Sequence, residues 1–330
     1  MNKITFITTV LNDEKGINSL FDGLLEQSTR PDEIIVVDGG SKDNTLAKLE
    51  SYLDKFTLFK IIQAPNTNIS QGRNLAILNA SHPIIVVTDA GCRPDKNWIF
   101  EISKPLLDDS EIYAVSGKVI SETSSVLEHY SGLLSIPDHT TKEQEELFYG
   151  RNSAFRKTLW EQVGGYPEWL YTAEDSLFAL AAKKRGFSIS HNPKAIIFWR
   201  PRNSLRKIAK MFYLYGKGNG RIAWGGDIKG TLYWLRNHGV LFLSFLLGFI
   251  YPFAWIATAL LTLYLYKLIA LPSLIKIRAI DKDWRREAYI PLITFIRNLS
   301  SNLGYLSGFI EYKNNPIFKE NLDKYINNLK

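Results

Sequence analysis

Two strongly apolar segments of this chain each end in an aspartate, and this arrangement constrains the fold more than any other feature. Residues 33–38 read EIIVVD and end at Asp38, and residues 83–89 read PIIVVTD and end at Asp89. Continuous β-branched runs are typical of central strands that are buried on both faces of a parallel sheet. Because ligands bind in the crevice beyond the carboxyl ends of such strands, both carboxylates are predicted to face a ligand.

The first 110 residues alternate between strand and helix patterns. Strands are predicted over 4–11, 33–38, 58–64 and 83–89, and helices over 13–27, 44–52 and 70–79, the last capped by Ser70. This alternation predicts an α/β fold with a Rossmann-like, mostly parallel sheet covered by helices. From 111 to 200 the pattern is mixed, with strands predicted over 113–120, 148–157 and 189–199 and helices over 159–163 and 174–185.

The positive charge of the chain is concentrated in one segment. The 330 residues carry a formal net charge of +7, and Arg200–Arg236 holds nine Lys/Arg residues against a single acid, Asp227. Basic charge concentrated in this way favours a surface for anionic lipid headgroups. A solvated face and a nucleic-acid surface are the alternatives, but no nucleic-acid-binding motif accompanies the charge. Cys92 is the only cysteine, which excludes a disulfide framework and a Cys-rich metal site.

A long uncharged run follows the basic segment. Residues 240–266 comprise 27 residues without a charge, and about 20 apolar residues suffice to cross a bilayer. A buried helix of a soluble core is the alternative. Pro252 lies near the middle of the run and is expected to kink or split the helix. Both flanks are basic, so the positive-inside rule favours a hairpin or re-entrant pair that turns near Pro252 over a single span.

These patterns divide the chain into four predicted parts. Residues 1–200 form the α/β domain, residues 201–238 a basic amphipathic segment at the membrane interface, residues 239–275 a transmembrane or re-entrant helical hairpin, and residues 276–330 a membrane-associated C-terminal segment. This organisation predicts a protein of the cell membrane. Because the basic flanks stay in the cytosol, the α/β domain is expected on the cytoplasmic side.

Polar residues at the predicted edge of the sheet form a candidate site for a nucleotide-sugar donor. Asp38, with Ser41 and Asp43 on the same loop, can accept hydrogen bonds from a base or a ribose. Capping of the turn and of the following helix is the alternative for these acids. Arg73 and Asn74 lie near a helix start, where phosphate and base groups are favoured, and a plain surface helix is the alternative.

The remaining candidates concern the diphosphate and the acceptor. Asp89 is the best placed carboxylate for a divalent metal or for the diphosphate side of the donor. Glu174 and Asp175 open a predicted helix, where an acid can act as a base or merely complement the helix dipole. Adjacent acids point in different directions, so we assign the general base to Asp175. The acceptor side is predicted to be lined by Gly150, Arg151 and Asn152.

The motifs and their order resemble the family-2 inverting glycosyltransferases of the GT-A fold. They are, in chain order, TTVLNDEKGI, VVDGGSKDNT, SQGRNLAI, TDAGCRPD, GRNSAFRK and the segment that contains Glu174-Asp175. The resemblance covers about the first 200 residues, and the apolar tail resembles that of membrane-attached bacterial members. It implies that Asp38 contacts the base or ribose, that Asp89 faces the metal and diphosphate, and that Asp175 is the general base of a single in-line displacement.

The chain departs from this family's pattern at two places. The Asp-x-Asp motif reads Asp89-Ala90-Gly91, so the requirement for a divalent metal, Mg²⁺ or Mn²⁺, is left open. The Gln-x-x-Arg-Trp motif of processive synthases is absent, which argues against a processive polymerase. In the corresponding region, Lys217 and Arg221 are either contacts to the diphosphate or membrane-facing charges.

The resemblance predicts a membrane-bound transferase that moves a sugar from a nucleotide diphosphate to a lipid-linked or glycan acceptor. Such a reaction belongs to the synthesis of cell-envelope polysaccharide. A catalytically inactive scaffold of the same fold is one alternative. A sugar-phosphate nucleotidyltransferase is another, but it would need an early Gly-rich basic loop that TTVLNDEKGI lacks.

Overall fold

Two compact units make up the chain, and the computed structural model describes residues 3–136, 147–223 and 227–327. The first unit comprises Met1–Glu122, Pro137–Arg200 and Asn321–Lys330, and the second comprises Thr123–Ile136 and Pro201–Glu320. This division differs from the boundaries predicted from the sequence in two segments. Residues 123–136 group with the second unit, and residues 321–330 group with the first.

Strands and helices alternate through the first unit, and helices alone follow it. The strands are β1 (Ile4–Val10), β2 (Glu33–Asp38), β3 (Phe59–Gln63), β4 (Ile84–Thr88), β5 (Cys92–Pro94), β6 (Ile112–Ser121), β7 (Asn152–Arg156) and β8 (Ser188–Trp199). The α-helices are α1 (Glu14–Leu25), α2 (Thr45–Glu50), α3 (Ile69–Leu78), α4 (Trp98–Asp108), α5 (Val126–Ser135), α6 (Lys157–Val163), α7 (Glu174–Lys184), α8 (Leu205–Arg221), α9 (Ile228–Gly248), α10 (Ala254–Leu265), α11 (Leu271–Ile280), α12 (Arg286–Asn314) and α13 (Pro316–Asn327).

The strands of the first unit form one mixed sheet in the order β3-β2-β1-β4-β7-β6-β8-β5. The pairs β2–β3, β1–β2, β1–β4 and β6–β8 are parallel, as the alternating pattern predicts. β7 is antiparallel to both β4 and β6, and β5 is antiparallel to β8. The mostly parallel α/β fold is therefore confirmed, and the antiparallel β7 lies in the middle of the sheet.

The core of this unit explains the continuous apolar runs. Every residue of β2 and of β4 is buried, as expected for central strands that are covered by helices on both faces. The apolar face of α1, formed by Ile17, Leu20, Phe21 and Leu24, is fully buried. Burial of each such side chain stabilises the fold by roughly 1.5–3 kcal/mol.

The charged side chain of Glu33 lies inside this core. Glu33 at the start of β2 is 1% exposed, and its carboxylate accepts hydrogen bonds from the Thr5 hydroxyl, the Ser81 amide and the Lys60 ammonium at 2.7, 2.8 and 3.1 Å. Burial by itself raises the pKa of Glu33, but these donors lower it to about 2. The ionised carboxylate therefore ties together β1, β2, β3 and the turn before β4.

The start of α3 differs from the prediction. Ser70 was expected to cap the helix, but Asn68 is the N-cap residue and α3 begins at Ile69. The Asn68 side chain accepts from the Gln71 amide, and the Gln71 side chain accepts from the Asn68 amide, both at 2.9 Å. This reciprocal capping box satisfies two amides at once, which the Ser70 hydroxyl cannot do. The predicted end of α6 at Gly164 and Gly165 is confirmed, with φ of 90° and 80°.

In the second unit, α8 and α12 pack backbone against backbone. Glycines repeat every fourth residue on both helices, at Gly216 and Gly220 on α8 and at Gly304 and Gly308 on α12. A Cβ atom built at any of these positions would lie 2.0–2.2 Å from a carbonyl oxygen of the partner helix. The helices thus approach as closely as small-xxx-small helix pairs do in membranes.

The uncharged run 240–266 forms two packed helices and not one long helix. α9 ends at Gly248 and α10 begins at Ala254, with Pro252 in the turn between them. Phe245 and Trp255 stack edge to face across this turn, with ring centroids 5.2 Å apart. Among the described residues, the helix that is long and apolar enough to cross a membrane, by length and composition, is instead Ala254–Ile280, in which a π-helical turn over Tyr266–Ala270 joins α10 to α11, and 11% of its apolar window is buried.

Candidate active site

The site lies at the edge of the sheet where β4 ends. Asp89 follows Thr88, the last residue of β4, and the antiparallel register pairs Thr88 with Asn152 at the start of β7. The Thr88 hydroxyl donates to the Arg151 carbonyl at 2.6 Å. The register therefore brings the residues just before β7 beside the carboxyl end of β4.

Four charged side chains meet at this edge. The Arg73 guanidinium lies 3.0 Å from Glu174 Oε1 and 3.2 Å from Asp89 Oδ1, and the Arg151 Nε lies 3.6 Å from Asp89 Oδ2. We call Arg73, Asp89, Arg151 and Glu174 the charge cluster. Arg73 is 3% exposed, so it links Asp89 to the helix α7 from inside the protein. Loss of one partner from such a buried pair typically costs about 3–5 kcal/mol.

The two adjacent acids at the start of α7 have different surroundings. Glu174 is buried against Arg73; burial and the neighbouring Asp175 raise the pKa of Glu174, and Arg73 acts in the opposite direction. Asp175 is half-buried, and its carboxylate accepts from the Gly150 amide at 3.1 Å and the Ser176 amide at 2.7 Å. The backbone at Ala173, just before them, has a left-handed φ of 65°, which is uncommon for alanine and typical of functional sites.

The three residues predicted for the acceptor side separate into two groups. The Gly150 amide holds Asp175, and Arg151 lies in the charge cluster with its guanidinium 4.2 Å from the centre of a Trp199 ring. Asn152 is 3% exposed and points into the core. Its amide bonds the Trp98 indole and the carbonyls of Lys118 and Ala195 at 2.8–2.9 Å. Asn152 therefore joins β6, β8 and α4 and lies outside the charge cluster.

Gly150 is required by the approach of Arg73. A Cβ atom at Gly150 would lie 2.3 Å from an Arg73 guanidinium nitrogen. Any larger residue there would push Arg73 away from Glu174 and Asp89. Gly150 therefore contributes to the site in two ways: its lack of a side chain leaves room for Arg73, and its amide donates to Asp175.

The predicted donor-side residues form tight local structures. Asp38 is 3% exposed, and its carboxylate accepts from the amides of Gly40 and Ser41 at 3.2 and 3.0 Å. The exposed Asp43 accepts from the Thr45 amide at 3.1 Å, and bonds from Thr45 are the chief reason that its pKa is lowered. Both acids therefore close turns, which is the alternative that the sequence left open for them, and their contact with a donor stays a prediction.

Arg73 and Asn74 have different partners from those the sequence suggested. Arg73 belongs to the charge cluster. The Asn74 amide donates to the Tyr166 carbonyl and Glu168, and its oxygen accepts from the Trp160 indole and the Tyr166 amide, all at 2.8–2.9 Å. Asn74 thus fastens α3 to the segment between α6 and α7. Contacts of either residue with a nucleotide stay predictions.

Lys217 and Arg221 lie in the second unit. Both are on α8 and form ion pairs with Glu311 of α12, at 2.6 and 2.7 Å. Their predicted contact with a diphosphate stays untested. Within the second unit they reinforce the packing of α8 on α12.

Two aromatic residues lie at the site. From the sequence, Tyr166 could belong with Trp160, Trp169 and Tyr171 to a sugar-stacking floor or equally to the core, and Tyr149 had no assigned role. Tyr166 is buried, and its ring lies 5.3 Å from the Arg73 guanidinium carbon. Burial, and then the nearby charge of Asp175, raises the pKa of Tyr149. The only sequence signal for Tyr149 is its position next to Gly150. Nothing in the local pattern around Tyr166 indicates a packing partner on α3.

The ligands for a divalent metal are few. Among the residues that the structure describes, no group of three or more His, Cys, Asp or Glu side chains could hold a metal ion. Asp89 is 40% exposed, but each of its carboxylate oxygens faces an arginine. The second position of the Asp-x-Asp pattern is Gly91, which supplies no ligand. These side chains do not fit a metal that is held by protein carboxylates.

About half of the chain matches a known protein family. Residues 5–164 match Glycosyl transferase family 2. The O-antigen chain rhamnosyltransferase RfbN of Salmonella typhimurium is 27% identical over 59% of this chain and 65% of its own length, so the chain spans just under two thirds of that relative. A dolichyl N-acetyl-alpha-D-glucosaminyl phosphate glucuronosyltransferase of Methanococcus voltae is 25% identical over 97% of this chain and 100% of its own.

Among solved structures, the mannosyltransferase PcManGT from Pyrobaculum calidifontis, in complex with GDP-Man and Mn²⁺, has a similar fold. Its TM-score is 0.58 at 19% identity, over 94% of this chain and 87% of that one. At this identity the likeness concerns the fold. Residues 5–164 therefore match a glycosyl transferase family 2 domain, and the mixed sheet that contains them has the GT-A fold.

Proposed function

We propose that this chain is a membrane-bound inverting glycosyltransferase that moves one sugar from a nucleotide diphosphate to a lipid-linked or glycan acceptor. The observation that carries the proposal is the position of Asp175, half-buried at the sheet edge and oriented by the Gly150 amide. The acceptor would be used in cell-envelope glycan synthesis. The Salmonella relative is named for the O-antigen chain and the Methanococcus relative for a dolichyl phosphate glycan, which supports this acceptor class.

Asp175 would act as the general base. It removes the proton of the acceptor hydroxyl while that oxygen bonds to the anomeric carbon and the bond to the diphosphate breaks on the opposite face. The Gly150 and Ser176 amides fix the direction of its carboxylate. Glu174 is 6% exposed and pairs with Arg73, so it positions the cluster and is less accessible to an acceptor hydroxyl than Asp175. A single displacement of this kind inverts the anomeric configuration.

The second unit supplies the argument for a membrane. Large apolar side chains are exposed around the turn between α9 and α10, with Phe249 71%, Tyr251 64% and Phe253 85% exposed. An exposed apolar surface of this kind marks a membrane or protein contact. On α8 the exposed face carries Arg206, Lys207 and Lys210, which suit anionic headgroups on the cytoplasmic side.

The direct test compares Asp175→Asn with the unchanged chain. Membranes that contain each protein are incubated with labelled nucleotide sugars, and transfer to extracted lipid and glycan is counted. Loss of a general base typically lowers the rate by about 10²–10⁴-fold. Asp54→Asn is the matched control, because Asp54 is an exposed acid on a short 3₁₀ turn away from the charge cluster. Near wild-type turnover by Asp175→Asn would contradict the assignment of Asp175 as the general base.

A further inference from the structure

The leaving nucleotide diphosphate must be neutralised by positive charge close to the end of β4. Transfer places additional negative charge on the diphosphate as its bond to the sugar breaks. Two cations of the charge cluster lie there. Arg73 is 3% exposed and lies between Glu174 and Asp89, so it cannot reach a ligand without breaking both pairs. The Arg151 side chain is 21% exposed, so part of it is accessible to a ligand, and its partner Asp89 is 40% exposed.

We infer that Arg151, and not a divalent metal, offsets the charge of the donor diphosphate in this enzyme. The inference rests on the proposed function, because it assumes a nucleotide-diphosphate donor. The Arg151 guanidinium would receive the diphosphate, and the reaction would need no divalent metal ion. Three observations support it: the few metal ligands among the described residues, the fixed position of Arg151, and the room left at Gly91.

The carboxylate ligands for a metal are insufficient at this edge. A divalent ion needs oxygen ligands, and proteins commonly supply one or two carboxylates beside the substrate phosphates. Asp89 is the one carboxylate of the motif, and Arg73 and Arg151 lie 3.2 and 3.6 Å from its two oxygens. A divalent cation at Asp89 would have to displace a guanidinium and remain next to another, and the repulsion between these cations opposes its binding.

Arg151 is held in place before any ligand arrives. The Thr88 hydroxyl fixes its carbonyl at 2.6 Å, Asp89 lies 3.6 Å from Nε, and the guanidinium carbon lies 4.2 Å from the centre of a Trp199 ring. A guanidinium is planar and presents paired N–H donors that match the oxygens of a phosphate. Stacking on an aromatic face limits its rotation, so little conformational entropy is lost when a diphosphate binds.

The fold has room for the missing carboxylate. A Cβ atom at Gly91 would meet only Asp13 Oδ2, at 3.5 Å, which is an ordinary contact. The residue also lacks a positive φ, so it is not a glycine for conformational reasons. Gly91→Asp therefore restores the Asp-x-Asp pattern without strain, and it provides a variant in which metal binding should appear.

The experiment uses the full chain in detergent after dialysis against EDTA. Binding of UDP, GDP and dTDP is measured by calorimetry with EDTA and with Mn²⁺, and bound Mn²⁺ is counted from the loss of its electron paramagnetic resonance signal. We expect the affinity of the wild type for its preferred nucleotide to agree within about twofold between the EDTA and the Mn²⁺ buffers. The Mn²⁺ signal should fall no further with protein and nucleotide than it does with the nucleotide alone. Gly91→Asp should reduce the Mn²⁺ signal when nucleotide is present.

Arg151→Met should weaken nucleotide binding by about 10–100-fold, the range for removal of a charge-assisted pair to phosphate. Arg151→Lys, which keeps the charge and part of the stacking, should lose less and covers the case in which Arg151→Met does not fold. A tenfold loss of wild-type affinity in EDTA, or unchanged binding by both Arg151 variants, would overturn the inference and leave the proposed function standing. Absence of binding for every nucleotide in both buffers would overturn the proposed function and the inference together.

Discussion

The two units of this protein achieve close approach in opposite ways. In the first unit, α3, α7 and the end of β4 are joined by buried opposite charges, with Arg73 at 3.0 and 3.2 Å from two carboxylates. In the second unit, α8 and α12 are joined because side chains are missing, and backbone meets backbone at Gly216, Gly220, Gly304 and Gly308. Charged side chains need water or an opposite charge as a partner. Glycine packing suits an apolar environment, because every backbone group is already hydrogen-bonded within its own helix.

The difference shows where each unit is vulnerable. A substitution in the charge cluster can be partly absorbed, because side chains can shift by a few tenths of an ångström. A substitution at the glycine contacts cannot, because the atoms that it meets belong to the backbone. The largest effects are therefore expected where a new side chain meets backbone, and the smallest where it meets the end of a flexible side chain.

Gly304→Ala should produce the largest loss of stability. The new Cβ would lie 2.0 Å from the Tyr213 carbonyl oxygen, so α8 and α12 must separate. Overpacking of this kind against backbone costs about 3 kcal/mol or more. The measurement is hydrogen exchange of the α8 and α12 amides in the full chain. Gly239→Ala on α9 is the matched control, since nothing lies within 4 Å of that position, and it should keep or slightly increase protection. Equal protection in the two variants would contradict the glycine-packing argument.

Glu33→Gln should break the polar core of the first unit in a pH-dependent way. The folded pKa of Glu33 is lowered from 4.5 to about 2, so the ionised carboxylate stabilises the fold fully above the unfolded pKa. That stabilisation, at most about 3 kcal/mol, is lost as the pH falls from about 5 towards 2. The difference in unfolding free energy between wild type and variant should therefore be largest at pH 7 and should shrink towards pH 3.

The measurement is a urea titration followed by pulsed hydrogen exchange of the β1 and β2 amides at pH 7, 5 and 3. Glu50→Gln, an exposed acid at the end of α2, serves as the control and should stay within about 0.5 kcal/mol of wild type at each pH. If Glu33→Gln lowers the free energy of unfolding as much at pH 3 as at pH 7, the loss of the ionised carboxylate is not the cause.

Gly150→Ala should have the smallest effect on stability and a clear effect on turnover. The nearest atoms to its Cβ would be those of the Arg73 guanidinium, the first at 2.3 Å, which is the end of a flexible side chain. Arg73 can move, so the loss of stability should be about 1 kcal/mol, but the displaced charge cluster should reduce turnover by about tenfold. Sugar transfer and thermal melting are measured on one preparation. Gly91→Ala, whose Cβ meets only Asp13 at 3.5 Å, is the control, and equal turnover in the two variants would count against a positioning role for Arg73.

The sequence was a good guide to the strands and a poor guide to the contacts among side chains. EIIVVD and PIIVVTD read directly as central strands, because burial on both faces leaves a continuous apolar run. The three residues of β5 are too short to show any period, and neither α4 nor α5 was predicted. In α5, Tyr130 packs on Tyr289 and the Leu134 carbonyl accepts from Arg297, partners more than 150 residues away.

The site shows the same limit. Asp89, Glu174 and Asp175 could be selected as acids at a strand end and a helix start, because those positions define a ligand crevice. The pairing of Arg73 with Glu174 spans 101 residues, and no local pattern records it. Asn74 and Asn152 were selected as ligand-binding amides, and their side chains form hydrogen bonds with protein groups on distant elements, which no local pattern records. Their contact with a ligand stays a prediction. Whether a buried amide serves a ligand or the fold depends on these distant partners.

The antiparallel insertion of β7 into an otherwise parallel half of the sheet has a consequence for how the site tolerates changes in the chain that precedes it. At the ligand edge of the sheet, a parallel strand has the loop that follows it. Because β7 is antiparallel, it has there the loop that precedes it. Arg151 is anchored by strand register, through Thr88 opposite Asn152, and is independent of the length of chain upstream. A change in the length of the preceding chain therefore leaves Arg151 beside Asp89 and the Gly150 amide beside Asp175.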